Sequence, residues 1–153
     1  MQRKRLYIAY GSNLDTWQMR NRCPGARPVA KSWLHDYRLV FQGMPLNAHA
    51  NVIPEKGQKV PVVVWEITAA NEKALDRYEG VKGGYYTKEY FTIEVNGEMV
   101  EALIYIMCPR DYNIPDTGYL ETIIEGYHDF NFDIRYLNEA ARHAHRHADY
   151  VPA

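Results

Sequence analysis

The sequence lacks the features that mark several large classes of protein. Its two cysteines, Cys23 and Cys108, belong to no CxxC pair or other metal-binding spacing. This favours reduced structural thiols over a disulfide or a nucleophile. No stretch approaches the roughly 20 apolar residues that span a bilayer, and no apolar run of a signal peptide opens the chain. We therefore expect a cytoplasmic protein with no membrane partner.

An excess of one charge is also missing. The formal net charge is −1, and the basic run of Arg3, Lys4 and Arg5 is short, so we expect no nucleic-acid partner. The chain has no internal repeat or low-complexity linker. Its 153 residues, 46% hydrophobic and 24% charged, can bury one proper core. A single domain over residues 1–153 is expected.

The coarse pattern is strands interleaved with helices. Strands are predicted over residues 5–10, 33–42, 50–53, 61–67, 86–95 and 99–107. Asn96-Gly97 predicts a tight hairpin between the last two. Helical spacing then appears twice, in Leu120, Ile123, Ile124 and Tyr127 and in Ile134, Leu137, Ala141 and Ala144. The order favours an α+β fold, with helices packed against one mixed sheet.

A polar turn, Gly11-Ser12-Asn13, joins the first predicted strand to a helix. Gly11 lets the backbone approach a ligand closely, and the N–H groups at a helix start are unpaired. Such donors suit an anion or a developing oxyanion. Asp15 and Gln18 have the spacing of a capping box, which supports a helix start here. The alternative is a polar connection with no ligand.

A second candidate is Glu79, the last residue of a short predicted helix that Gly80 stops. The negative end of the helix dipole and nearby aromatic residues both disfavour the ionised carboxylate and raise its pKa. Such a group can accept and return a proton near neutral pH. Spacing alone favours the alternative, an exposed glutamate paired with Lys82 or Arg77.

The short motifs of this sequence, and the order in which they occur along the chain, resemble the γ-glutamylcyclotransferase superfamily. This superfamily includes the avirulence-induced-gene-like proteins. The resemblance rests on Tyr10-Gly11-Ser12-Asn13-Leu14, on residues 75–81 with Tyr86 after them, and on Tyr119-Leu120. Segments 22–26, 36–41, 51–54 and 63–67 also match, so nearly the whole chain is covered. The fold implied is a small mixed, curled or closed β-barrel flanked by helices.

The resemblance also implies an activity without a metal or organic cofactor. In a γ-glutamyl amide, the small-molecule substrate, the α-amine attacks its own δ-carbonyl and releases 5-oxoproline with an amine or amino acid. Glu79 is then the catalytic general acid/base. The residues implied to bind substrate are Tyr10, Gly11, Ser12, Asn13, Leu14, Tyr86 and Tyr119. The backbone of residues 11–14 would hold the substrate carboxylate or the oxyanion.

Alternatives stay open at several positions. Tyr86 is alternatively a strand-initiating tyrosine, and Thr117-Gly118 replaces the Ser-Pro pair usual before the tyrosine that Tyr119 matches, which loosens the backbone. The same pocket in a non-catalytic binding module would capture a γ-glutamyl-like ligand or peptide end. The sequence does not decide the leaving group, which is an amino acid, a lysine side chain, an amine or a peptide. A homodimer is also left open.

The histidines are given structural interpretations. His143 and His147 have the spacing of a metal pair, but no third ligand accompanies them, so we interpret them as a solvated basic helix end. Metal binding by this pair stays open. His35, His49 and His128 are isolated in the sequence and are interpreted as structural.

Overall fold

The computed structural model describes residues 5–148. The strands are β1 (Arg5–Ala9), β2 (Arg27–Met44), β3 (Asn47–Ile67), β4 (Tyr86–Val95) and β5 (Glu98–Met107). The helices are α1 (Thr16–Arg22), α2 (Ala69–Tyr78), α3 (Thr117–Asp129) and α4 (Arg135–His147), and a 3-10 turn spans Ser12–Leu14.

The five strands form one mixed sheet in the order β2-β3-β1-β5-β4. β1 pairs antiparallel with β3 and parallel with β5, with Tyr7 opposite Leu103. The centre of the sheet is apolar on both faces, since Ile8, Val63 and Val64 are fully buried. Because β1 is the central strand, the turn that follows it begins in the middle of the molecule.

The predicted α+β class is confirmed, and the sheet is curled. Its edge strands approach each other where the Ser32 hydroxyl donates to the Glu94 carbonyl at 2.7 Å. Within residues 5–148 no backbone ladder joins β2 to β4, so the closed form of the barrel is wrong. This contact joins a side chain to a backbone carbonyl.

The β2–β3 hairpin is much longer than the sequence predicts. β3 runs through 21 residues and includes the two strands predicted at 50–53 and 61–67. β2 pairs with β3 on both sides of the polar segment, with Tyr37 opposite Pro54 and His35 opposite Lys59. The register shifts between these pairs, where the Asp36 carboxylate accepts from the Gly57 N–H at 3.0 Å. Cross-strand pairing therefore overrides the local pattern.

The helix starts are partly as predicted. The Asp15 carboxylate accepts from the Trp17 N–H at 3.1 Å and caps α1. Gln18 does not complete a capping box, because its amide donates to the Ser12 carbonyl at 3.0 Å. The Asn96-Gly97 turn joins β4 to β5 as predicted.

None of the helices in the described part of the chain is both long and apolar enough to traverse a bilayer.

Candidate active site

A cavity of about 180 Å³ opens where β1 leaves the sheet. It is smaller than the ~300–1,000 Å³ of sites for drug-sized ligands, so its size suits a small molecule. The residues that line it are Tyr7, Ile8, Tyr10, Gly11, Ser12, Asn13, Arg22, His49, Ala50, Tyr78, Glu79, Tyr85, Tyr86, Tyr105 and Tyr119. All the site residues proposed from the sequence are among them except Leu14.

The turn after β1 presents backbone donors beside this cavity. The Leu14 N–H donates to the Gly11 carbonyl at 3.0 Å, and the Asp15 N–H donates to the Ser12 carbonyl at 3.1 Å. The N–H groups of Ser12 and Asn13 have no protein acceptor among residues 5–148. Leu14 differs from the expectation, because its amide is used within the turn and its side chain is fully buried. The free donors are therefore those of Ser12 and Asn13.

Gly11 lies in close contact with its neighbours. A Cβ at this position would lie 3.1 Å from the Ala50 Cβ and 3.5 Å from the Tyr119 hydroxyl oxygen. The turn thus lies directly against β3 and the start of α3.

Glu79 follows the last residue of α2, and its N–H donates to the Leu75 carbonyl at 2.8 Å. In the described part of the chain its carboxylate forms no hydrogen bond or ion pair, so the alternative of a pair with Lys82 or Arg77 is wrong. Burial raises its pKa from 4.5 to about 7, and the positive charge of Arg22 partly opposes this rise. The raised pKa agrees with the sequence prediction, with burial as the main cause.

Five of the seven tyrosine hydroxyls around the cavity fall into two groups, according to the direction of their hydrogen bonds. Three donate to protein acceptors: Tyr10 to the Tyr105 carbonyl at 2.6 Å, Tyr86 to the Ala50 carbonyl at 2.7 Å, and Tyr105 to the Asp76 carboxylate at 2.6 Å. The protons of these three hydroxyls are therefore used in hydrogen bonds within the protein. Tyr86 is also the first residue of β4, so its strand-initiating interpretation holds beside its place in the cavity.

Tyr7 and Tyr119 have the opposite arrangement. Their hydroxyls accept, from the Asn13 side-chain amide and from the Ala50 N–H respectively, at 2.9 Å in both cases. Among residues 5–148 neither proton has an acceptor. Burial raises the pKa of both phenols well above 10, so each is a neutral donor at physiological pH.

Sequence reasoning missed eight residues that line the cavity: Tyr7, Ile8, Arg22, His49, Ala50, Tyr78, Tyr85 and Tyr105. His49 lies in β3, where its Nδ1 is 3.1 Å from the Tyr85 hydroxyl and its ring centroid is 4.8 Å from that of Tyr119. Burial lowers its pKa, which favours the neutral imidazole. No local pattern distinguishes His49 from a structural histidine, because its neighbours come from distant parts of the chain.

The interpretation of His143 as part of a solvated helix end is wrong. Its side chain is buried in α4, with its ring centroid 4.6 Å from that of Tyr112 and 4.4 Å from that of His147. No group of three or more metal-ligating side chains occurs in residues 5–148. Cys23 and Cys108 are free thiols, as expected.

Comparison with known proteins identifies the family. The profile of the family described as "Gamma-glutamyl cyclotransferase, AIG2-like" matches residues 7–122. The chain is 30% identical to the γ-glutamylcyclotransferase of Bos taurus over 139 residues, which cover 86% of this chain and 74% of that protein. It is 33% identical to the γ-glutamylcyclotransferase of Mus musculus over 129 residues, covering 79% and 69%.

A solved structure shares the fold. A protein described as a gamma-glutamyl cyclotransferase superposes with a TM-score of 0.81 at 26% identity, covering 99% of this chain and 93% of that one. The chain therefore belongs to the gamma-glutamyl cyclotransferase, AIG2-like family and is an enzyme of that type, a cyclotransferase.

Proposed function

We propose that this enzyme cyclises γ-glutamyl amides to 5-oxoproline and releases the amine, with Glu79 as the general acid/base. The observation that carries the proposal is the Glu79 carboxyl, which has a pKa of about 7 in the cavity and no partner among residues 5–148. A group that titrates near neutral pH is suited to both accept and return a proton. A site that only binds its ligand has no need of such a group.

The first step is proton removal from the substrate. The α-ammonium group gives a proton to the Glu79 carboxylate, and the freed nitrogen attacks the δ-carbonyl carbon. A carbon–nitrogen bond closes the five-membered ring, and the carbonyl electrons move to oxygen as an oxyanion. Because nucleophile and electrophile belong to one molecule, the enzyme's task is to hold the cyclising conformer.

The second step is expulsion of the amine. Protonated Glu79 returns the proton to the leaving nitrogen as its bond to the former carbonyl carbon breaks. The ring nitrogen still carries a second proton, which the Glu79 carboxylate accepts and passes to the released amine. The N–H groups of Ser12 and Asn13 are donors for the oxyanion while it exists. Removal of one such donor from an enzyme typically lowers kcat by on the order of 10²–10³. No proton is gained or lost overall.

The experiment is release of 5-oxoproline from a panel of γ-glutamyl substrates: γ-glutamyl-alanine, ε-(γ-glutamyl)-lysine, γ-glutamyl-amines and glutathione. The Glu79→Gln variant should lose on the order of 10²–10⁴ in kcat. Glu125→Gln is the matched control, since Glu125 is exposed on α3 and does not line the cavity. For the unaltered enzyme we expect kcat/KM to fall as the pH drops below about 7, where Glu79 is protonated.

Two results would count against the proposal. Turnover that survives in Glu79→Gln would remove Glu79 as the acid/base. A folded protein that binds a γ-glutamyl compound and turns over none of the panel would instead favour a binding module.

A further inference from the structure

The charges of the cavity match those of a γ-glutamyl group. Every such group carries an ammonium and a carboxylate on one carbon atom. Among the described residues that line the cavity, Glu79 is the carboxylate and Arg22 is the guanidinium. The remaining candidate cation, His49, has a lowered pKa and is neutral near pH 7. One negative and one positive protein group therefore face a substrate with one of each.

Arg22 is held in place by two contacts. It is the last residue of α1, and its Nη1 donates to the Asn13 side-chain oxygen at 2.9 Å. Its guanidinium carbon lies 4.5 Å from the centroid of the Tyr78 ring. A guanidinium has five N–H donors, so most of them are left without a protein acceptor in the described residues. The group is thus oriented, and most of its donors are not used by the described residues of the protein.

Arg22 and Glu79 share the cavity without pairing. No nitrogen of Arg22 lies within 4.0 Å of a Glu79 oxygen, although Arg22 is the charge that opposes the rise in the Glu79 pKa. A zwitterion needs this arrangement, because its two charged groups must reach two separate partners. Direct pairing of the two side chains would leave neither free for the ligand.

We propose that Arg22 binds the α-carboxylate of the substrate and so selects γ-glutamyl amides over amides that lack this carboxylate. This inference rests on the proposed function and deepens it. The guanidinium fork matches a carboxylate with two parallel hydrogen bonds. With the carboxylate at Arg22, the ammonium is directed to Glu79. The N–H groups of Ser12 and Asn13 are then left for the oxyanion.

The test compares two substrates that differ only in the α-carboxylate. One is the most active γ-glutamyl amide, and the other is the corresponding 4-aminobutyryl amide, which closes to 2-pyrrolidinone. We expect Arg22→Met to lower kcat/KM for the γ-glutamyl amide by on the order of 10–10²-fold, as for a lost charge-assisted hydrogen bond. It should leave the 4-aminobutyryl amide nearly unchanged. Arg20→Met, an exposed position on the same helix, is the control.

An equal loss on both substrates would overturn the inference, because Arg22 would then act only by holding Asn13. Arg22→Lys should retain part of the preference, since lysine keeps the charge but lacks the fork.

A binding measurement separates this inference from the proposed function. Calorimetry with 5-oxoproline and with 2-pyrrolidinone requires no turnover. We expect the unaltered protein to bind 5-oxoproline, and Arg22→Met to bind it on the order of 10–10²-fold more weakly. Should the panel show no cyclisation, Arg22-dependent binding of 5-oxoproline would still support the carboxylate site. Binding that is absent, or that is the same in both proteins, would overturn it.

Discussion

The hydroxyl of Tyr119 accepts a hydrogen bond from the backbone N–H of Ala50 at 2.9 Å. The hydroxyl of Tyr86 donates to the carbonyl of the same residue at 2.7 Å. The two phenols therefore hold the two polar groups of Ala50, but only Tyr119 keeps a proton for a ligand in the cavity. The two tyrosines therefore have different chemical roles, although both line the cavity.

This difference predicts different consequences for the two phenylalanine variants. Tyr119→Phe removes a free donor and should lower kcat by on the order of 10²-fold. Tyr86→Phe removes a hydroxyl that already donates to the Ala50 carbonyl, and should lower kcat much less. Each variant leaves a buried backbone group unpaired, at a cost of about 1–3 kcal/mol in the free energy of unfolding. Steady-state kinetics and urea unfolding of both variants test this, and equal losses of kcat would assign Tyr119 a purely structural role.

The buried carboxylate of Glu79 should lower the free energy of unfolding by an amount that depends on pH. The group ionises near pH 4.5 when unfolded and near 7 when folded, because burial disfavours its charge. Between these values only the unfolded chain has lost the proton, so stability falls as the pH rises through this window. The cost is complete above pH 7 and absent below 4.5. The rise from 4.5 to about 7 corresponds to at most roughly 3 kcal/mol.

Glu79→Gln removes this charge and should therefore stabilise the enzyme while inactivating it. The gain in the free energy of unfolding should be near zero below pH 4.5 and reach up to about 3 kcal/mol above pH 7. Urea unfolding at pH 4 and pH 8 measures it. Glu125→Gln, at an exposed position, should show no such pH dependence. A gain that is the same at both pH values would mean that Glu79 is not buried as a charge.

The parts of the site that the sequence predicts are those with local signals. Gly11 and the polar residues after it mark a turn, and Gly80 marks the helix end at which Glu79 lies. Arg22 and His49 were not predictable in this way. Arg22 reaches the cavity only because Tyr78 and Asn13 lie beside the end of α1, and these contacts depend on how α1 packs near α2.

The fold shows the same difference between features that have a local sequence signal and features that depend on distant residues. The Asn96-Gly97 hairpin depends on residues at the turn itself and was predicted correctly. The length of β3 depends on its pairing with β2 across the hairpin, which no local pattern shows. The sequence pattern therefore divided β3 into two strands. The burial of His143 likewise depends on Tyr112, which is distant in the sequence.

Gly126 is a third example of a long-range requirement, and it carries a prediction. It lies in α3, where a Cβ would be 2.5 Å from the Leu14 Cβ and 2.9 Å from the Asp15 nitrogen. The helix therefore packs directly against the backbone of the turn that supplies the Ser12 and Asn13 donors. In an ordinary helix interior, glycine to alanine stabilises by up to about 1 kcal/mol.

At Gly126 the same substitution should destabilise the protein instead. Gly126→Ala forces α3 away from the turn and should lower the free energy of unfolding by about 1–3 kcal/mol or more. It should also lower kcat/KM, because the displaced turn no longer holds its N–H groups at the cavity. Gly118→Ala, in the first turn of the same helix, meets only one oxygen of the Asp116 carboxylate, the N-cap of α3, at 3.1 Å and should cost less than Gly126→Ala. Urea unfolding and kinetics of both variants test this, and a stabilised, fully active Gly126→Ala enzyme would show that α3 does not position the turn.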